Sequence, residues 1–527
     1  MKLTLIHPPQ FVAFGNQVST IAMPPIGLAY LAGSLLNAGH DVRLIDGVGE
    51  GLEHFEPHGS VYLRGLPHDE IVSRIPKDTE LIGVGCMFSS QWLTVRQLLK
   101  QIKAAFPGVP LILGGEHATG LPEMSFAQSP IDLLAQGEGE ETLLELVRKL
   151  EHGQPIAGMT GIAYRTNSAC VNTAPLPAAV AAGRTILDGQ AVVNPRRDRL
   201  RNIDDIPLPA WHLVNLEGYQ TMNQPHGACQ GRFMPMLATR GCPFKCTFCT
   251  SAQMWTQLWR PRDPKKVVDE MELYIKRYNA VDFQFEDLTA IVRKKWIIDF
   301  CREILDRKLQ ITFQLPSGTR SEAVDKEAAA WMKKAGCHEF AFAPESGDPE
   351  TLEIIKKQVD LSQMFVSARE SLDSGISVVC FFIVGFPHET WRHIFNTYKA
   401  IAKCAVIGIK AVSVNVFSPQ PATQLFEELR LKNRVALDDE YLQSLFEFTG
   451  FGRKKKSFNH RFSDAGITAV SIGGLAIFFG LRFLMRPHLL VQTVWEIFTL
   501  KSSNRFGKAA KATAIEFVRA TKARIQR

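Results

Sequence analysis

The sequence predicts an α/β chain: an N-terminal doubly wound parallel sheet, then a partial (β/α)6 barrel, then a helical C-terminal extension. Three observations predict it. Short apolar runs alternate with helix-period segments through residues 1–150; about six further β-α units follow over 231–430; and residues 431–527 turn apolar and basic.

In the first unit, residues 3–7, 41–45, 81–86, 110–113 and 131–135 are short, β-branched and bounded by Gly, Pro or Asp, which marks buried parallel strands. Residues 26–38, 91–105 and 140–150 between them have helical spacing. A doubly wound sheet binds ligands outside the carboxyl ends of its strands. Glycine-bearing segments fall at those ends: Asp46-Gly47, Gly114-Gly115-Glu116-His117 and Gly137-Glu138-Gly139-Glu140. Across 151–230 the pattern weakens and prolines accumulate, so a small β element and linker are expected. Strands are then predicted at 233–239, 280–285, 310–315, 339–343, 377–384 and 411–417. Helices at 265–278, 294–306, 326–334 and 362–373 separate them. Functional residues of such a barrel belong at its strand C-termini.

The composition, 46% hydrophobic and 21% charged over 527 residues, excludes a disordered chain and leaves room for about three domains. Ten scattered cysteines do not make a secreted disulfide scaffold, and the opening apolar stretch meets two prolines too early for a signal peptide, so a reducing cytoplasm is expected. The net charge of +7 is uneven: residues 451–527 hold 15 basic and 3 acidic groups, residues 1–450 hold 45 and 50. A basic appendage is expected to meet a membrane surface or a polyanion.

After the first barrel strand comes Arg240-Gly241-Cys242-Pro243-Phe244-Lys245-Cys246-Thr247-Phe248-Cys249, a C-x3-C-x2-C loop. Three thiolates so spaced can wrap one metal centre, and a 4Fe-4S cluster with one open iron suits three soft ligands. Zinc and unrelated structural thiols are the alternatives, although zinc wants a fourth protein ligand and none lies close in sequence.

These cysteines, with Phe248 before the last, resemble the signature of the radical S-adenosylmethionine (SAM) superfamily. Glu286 and Asp287 after the second strand, Ser317 and Arg320 after the third, Glu345 and Ser346 after the fourth, and residues 382–390 after the fifth resemble SAM-contacting segments of its subgroup with an N-terminal cobalamin-binding domain. Ala343 and His388 stand where that subgroup has glycines. The resemblance implies SAM chelated to the cluster and cleaved by one electron to methionine and a 5′-deoxyadenosyl radical, the cofactors carrying the chemistry and the protein positioning them. Glu345 and Arg320 would contact the SAM head group or ribose, unless they form a structural ion pair at the barrel rim.

Residues 23–31 also resemble the opening of the cobalamin-binding subgroup. The loop Asp46-Gly47-Val48-Gly49-Glu50-Gly51 has the spacing of a D-x-H-x-x-G cobalamin loop, with Val48 where a cobalt-ligating histidine would be. The resemblance places Gly47, Val48, Gly114, Gly115, Glu116, His117, Gly137, Glu138 and Gly139 around the corrin, the glycines because a backbone can approach a flat macrocycle closely there. Glu138 and Glu140 could equally cap the following helix.

Near the C-terminus, residues 465–481 carry no charge, which is the lower edge of a membrane span; a buried or interfacial helix is expected, with a second apolar helix over 489–500 and a tail bearing Lys501, Arg505, Lys508, Lys511, Arg519, Lys522 and Arg524. These are expected to pack on anionic lipid; the alternative is a cap on the barrel with a solvated basic face. No RNA-binding module with interleaved aromatics is evident, so nucleic acid is not the expected partner. The resemblance therefore implies a methylcobalamin-dependent radical SAM methyltransferase acting on an unactivated carbon of a hydrophobic molecule such as a lipid, hopanoid or tetrapyrrole. It would work anaerobically with a flavodoxin- or ferredoxin-type electron donor, cytoplasmic or peripheral on the inner face of the membrane. An anaerobic oxidative cyclase or ring-rearranging enzyme, and a non-catalytic cobalamin binder, are the alternatives.

Overall fold

A computed structural model describes residues 1–12, 22–59, 61–169, 171–172, 183–189, 191–222, 226–446 and 455–499. The basic tail lies outside them, as do Arg453 and Lys454.

Two parallel sheets dominate. In the N-terminal sheet the strands run Asp41–Asp46, Lys2–His7, Leu81–Gly85, Leu111–Gly114 and Leu133–Ala135, all parallel. Numbered along the chain this is the order 2-1-3-4-5, so the direction of winding reverses between Lys2–His7 and Leu81–Gly85. Alternation along the first strand explains the two covering layers: Leu3 and Leu5 enter one core with helices Ile26–Asn37 and Glu140–Glu151, while Ile6 enters another with helix Trp92–Ala105. The β element expected after residue 150 joins this sheet: Ile162–Arg165 pairs antiparallel with Leu133–Ala135, and Ala191–Val193 and Thr185–Leu187 extend the edge. A further three-stranded sheet of Gln10–Val12, Val61–Arg64 and Phe55–His58, unmarked in the sequence reading, folds over the loop at 46–51.

All six predicted barrel strands form, as Phe233–Met236, Asp282–Phe285, Thr312–Thr319, Cys337–Glu345, Ser377–Val384 and Ala411–Val416. They pair consecutively and in parallel, and the first and last do not pair, which leaves a partial barrel. Phe285 and Phe313 meet Phe300 of helix Lys294–Asp306 edge-to-face at 5.6 and 5.5 Å. Burying such a ring stabilises by about 1.5–3 kcal/mol, so this side of the sheet is the helix-packed one. Gln284, Glu286 and Gln314, of opposite parity, face the concave side.

The charge-free segment forms helix Asp464–Met485, and Pro487–Thr499 follows it. The first packs on the last barrel strand and on helix Trp391–Ile407: Ser471 Oγ donates to Val414 O at 2.6 Å, and Tyr398 Oη to Val470 O at 2.6 Å. It therefore serves as a wall of the barrel along its inner face.

Candidate active site

The cysteine loop leaves the first strand and is pinned by backbone on both sides. Thr247 N donates to Ile355 O and Leu425 N to Thr247 O, each at 3.0 Å. Thr289 Oγ1 donates to Cys242 Sγ at 3.4 Å and the Cys249 thiol to Ser251 Oγ at 3.2 Å. Burial pushes the Cys246 thiol up to about 11, with Lys357 working against it, and burial raises Cys249 as well. Among the described residues, the three His, Cys, Asp or Glu ligand atoms that gather within 4.8 Å of one another belong to Asp348, Glu350 and His393. The three sulfurs are therefore spread more widely than ligands of a single tetrahedral zinc, which stand about 3.8 Å apart given Zn–S of about 2.3 Å. A donor set of three spaced thiols without a fourth ligand fits a cluster with an open iron.

Around this loop, Glu345 ends the fourth strand at φ 67°, a left-handed conformation for a residue with a Cβ, and is buried. Its carboxylate meets Lys357 Nζ at 3.2 Å. Burial lowers the Lys357 ammonium, and Glu345 with Cys246 more than reverses this; burial raises the Glu345 carboxyl against the pull of Lys357. A buried anion and cation side by side complement a zwitterionic amino-acid head group. Lys357, absent from the sequence reading, is found only through this contact, since no spacing ties it to the cysteines. Arg320 lies 4.0 Å over the Phe244 ring and donates to Gln358 O, clamping the cluster loop to the same segment. Phe248 packs edge-to-face on Phe386 at 5.6 Å, and Ser317 is half-buried at the third strand.

Two residues expected at SAM are committed elsewhere. Asp287 is buried and accepts from Ala238 N at 3.1 Å and from Thr239 N and Oγ1, so it anchors the root of the cluster loop; burial raises it to about 6 against those donors. Ser346 is fully buried, its Oγ 3.1 Å from Thr397 Oγ1 and accepting from Asp348 N. On the concave face Glu286 Oε2 is 2.6 Å from His226 Nδ1, and His226 N donates to Gln284 Oε1 at 2.8 Å. Gln314 beside them is fully buried, with neither amide atom bonded among the described residues.

The N-terminal sheet redraws the expected corrin contacts. Val48 is fully buried in the core, and Gly47 is covered, its carbonyl accepting from Leu66 N at 2.7 Å under the three-stranded sheet. Gly139 packs on Leu31, and Gly137 lies under the Arg199 guanidinium. His117 is buried and stacked on Trp92 at 4.4 Å, with Nδ1 3.0 Å from Ser89 Oγ; burial lowers it to about 3, so it is neutral and braces the loop after the third strand. Glu138 bonds Arg260 Nη2 at 2.6 Å and Arg240 Nη1 at 3.4 Å, and Glu140 bonds Arg240 Nη2 at 2.6 Å. The two glutamates thus do more than cap the helix: they lock the N-terminal domain to the root of the cysteine loop.

At the switch point two large apolar side chains stay exposed. Met87 and Phe88, directly after the third strand, are 47% and 59% exposed, unusual for large apolar groups at a strand end. Gly114 lies beside them, and Gly115, at φ 108°, is held so close to Cys86 O that a Cβ would stand 2.4 Å from it. Helix Glu116–Gly120 packs on helix Ser251–Met254, which follows Cys249, and burial raises the Glu116 carboxyl. Exposed apolar side chains beside glycines at a strand end, next to the helix that follows the cysteine loop, suit close approach of a flat macrocycle.

Residues 236–401 match the model of the radical SAM superfamily and residues 17–147 that of the B12 binding domain. The chain is 28% identical over 500 residues to an uncharacterised methyltransferase of Pyrococcus horikoshii, covering 94% of this chain and 95% of that one. It is 26% identical over 449 residues to the anaerobic magnesium-protoporphyrin IX monomethyl ester cyclase of Rubrivivax gelatinosus, covering 84% and 72%. The radical SAM methyltransferase TsrM of Kitasatospora setae, solved with cobalamin and a 4Fe-4S cluster bound, shares the fold at TM-score 0.58 and 17% identity over 82% of this chain and 75% of that one. With a B12 binding domain and a radical SAM domain in one chain, the protein is a radical SAM enzyme of the cobalamin-binding kind, using a 4Fe-4S cluster, SAM and cobalamin.

Proposed function

We propose that the chain methylates an unactivated carbon of a hydrophobic small molecule, in the cytoplasm or at the inner membrane face, with electrons from a flavodoxin- or ferredoxin-type donor. The observation that carries this reading is the packing of helix Glu116–Gly120 on helix Ser251–Met254, directly after the cysteine loop, beside the Arg240–Glu140 ion pair at 2.6 Å: the ligand-binding end of one domain meets the cysteine loop of the other. A methyl carrier and a radical source must reach the same carbon, and this juxtaposition supports that requirement. When bound, the cluster and SAM supply a hydrogen-abstracting radical and cobalamin supplies the methyl group.

The protein's own groups bind and orient. Cys242, Cys246 and Cys249 would hold the cluster. Glu345 would accept from the ammonium of SAM and Lys357 would donate to its carboxylate, while Arg320 keeps their loop against Phe244. Gly114, Gly115, Glu116, Met87 and Phe88 would border the corrin. His226 and Glu286, with the unbonded Gln314 amide, give the concave face polar groups, which favours a hydrophobic substrate that also bears a hydrogen-bonding group. The test is product analysis of anaerobically reconstituted enzyme with SAM and reductant. Both 5′-deoxyadenosine and S-adenosylhomocysteine are expected; the first without the second would favour an oxidative cyclase instead.

A further inference from the structure

Helix Asp464–Met485 carries no charge from Ala465 to Leu481, yet only 28% of its most apolar window is buried. Its inner face, Ile467, Val470, Ser471, Gly474 and Phe478, lies against the barrel. Gly474 makes this close approach possible, since a Cβ there would meet Val414 and Ile401 at 3.2–3.3 Å. The opposite face carries Ala465, Ala469, Ile472, Ala476 and Gly480, all exposed, flanked by half-buried Phe479 and Phe483, and not one polar side chain interrupts it. An outer helix that merely caps a barrel presents charge to water. The cations that could have done so turn inward: Lys455 Nζ donates to Ser471 Oγ at 2.9 Å, Arg482 to Ile409 O, and Arg486 to Ala405 O at 3.0 Å. The exposed apolar surface continues into the next helix through Leu490, Val491 and Trp495.

We propose that this stripe is a docking surface for an anionic lipid bilayer, with the helix lying along the interface. Spanning is disfavoured because hydrogen bonds hold the inner face to the barrel from Val470 to Arg482. Charge complementarity selects the occupant: residues 500–527, directly after the two apolar helices, carry eight basic residues and one acid. An apolar face beside a polybasic segment is the two-signal arrangement that holds proteins on anionic leaflets. A second copy of the chain fits less well, since a stripe one helix wide and about 27 Å long offers a few hundred Å2, short of the about 800 Å2 per partner of a stable interface. The proposal rests on the membrane-surface part of the functional reading and not on methyl transfer.

The test floats the full chain, without SAM, on phosphatidylcholine vesicles and on phosphatidylcholine vesicles containing phosphatidylglycerol. At least tenfold stronger binding to the anionic vesicles is expected, and Ile472→Glu/Ala476→Glu should lower it at least tenfold while Tm and iron content hold, both positions being exposed. Lys508→Glu/Lys511→Glu should weaken the anionic preference alone. No binding to anionic vesicles, or binding indifferent to Ile472→Glu/Ala476→Glu, would overturn the proposal. So would sedimentation showing a dimer that the same substitutions dissolve. None of these outcomes bears on the products formed from SAM.

Discussion

Arg240 and Glu140 are ion-paired at 2.6 Å across 100 residues of sequence, the guanidinium two residues before Cys242 and the carboxylate in the first turn of helix Glu140–Glu151. Both are buried, and Arg240 also lies 5.3 Å over the Tyr30 ring. Removing one partner of such a pair leaves an uncompensated buried charge, so Arg240→Met should destabilise by about 3–5 kcal/mol in denaturant unfolding and lower the iron retained on reconstitution. Burial raises the Glu140 carboxyl and Arg240 more than reverses it, leaving a depressed value. The pair's contribution is therefore present at neutral pH and lost on acidification below the ordinary carboxylate range of about 4.

The opposite sign holds for Glu389. Its Oε2 accepts from Gly385 N at 2.6 Å and Phe386 N at 3.0 Å, but burial outweighs them and pushes it from 4.5 up to about 8. Between those values the unfolded chain has released a proton that the folded one keeps, so stability falls as pH rises through that window. Glu389→Gln should stabilise by at least about 1 kcal/mol more at pH 8 than at pH 5. Thermal unfolding at the two pH values checks this, and an effect independent of pH would count against it.

Lys357 should govern SAM binding rather than cluster assembly. Lys357→Met is expected to keep its iron and weaken SAM binding about tenfold or more, the loss of a charge-assisted contact of about 1.5–3 kcal/mol, while Lys357→Arg recovers part of it. Calorimetric titration of SAM into the reconstituted protein reads both variants.

Met87 and Phe88 should matter to cobalamin and not to folding, because both side chains are largely exposed. Met87→Glu/Phe88→Glu is expected to leave Tm within about 1–2 °C, surface changes staying within about 0.5 kcal/mol, and to cut the cobalt retained through gel filtration.

Much of the fold was legible in the sequence because it follows local periodicity. All six barrel strands and the four helices placed between them formed within a few residues of expectation, as did the five parallel strands of the first sheet. The C-x3-C-x2-C triad stands out in the sequence because its three thiols are close together, and the fold sets it at the end of the first barrel strand. The three-stranded sheet over the 46–51 loop was not, since Phe55-Glu56-Pro57-His58 lacks apolar alternation and is held by pairing to Val61–Arg64. Nor was the fate of Glu138 and Glu140. A Gly-Glu-Gly-Glu turn at a strand end reads as ligand loop or helix cap, and only the fold brings Arg240 and Arg260 to it from more than 100 residues away. Val48 and its loop are roofed over through contacts with no local signature. Lys357 and the Met87–Phe88 pair were missed for the same reason.

Methyl transfer to carbon can be followed through an isotopic label. Reconstituted enzyme given reductant, SAM deuterated in its methyl group and a hydrophobic extract of the producing cells should yield a product carrying the intact deuterated methyl on carbon, by mass spectrometry, with 5′-deoxyadenosine and S-adenosylhomocysteine in equal amounts. A product that gains no label, or one formed with 5′-deoxyadenosine alone, would contradict it.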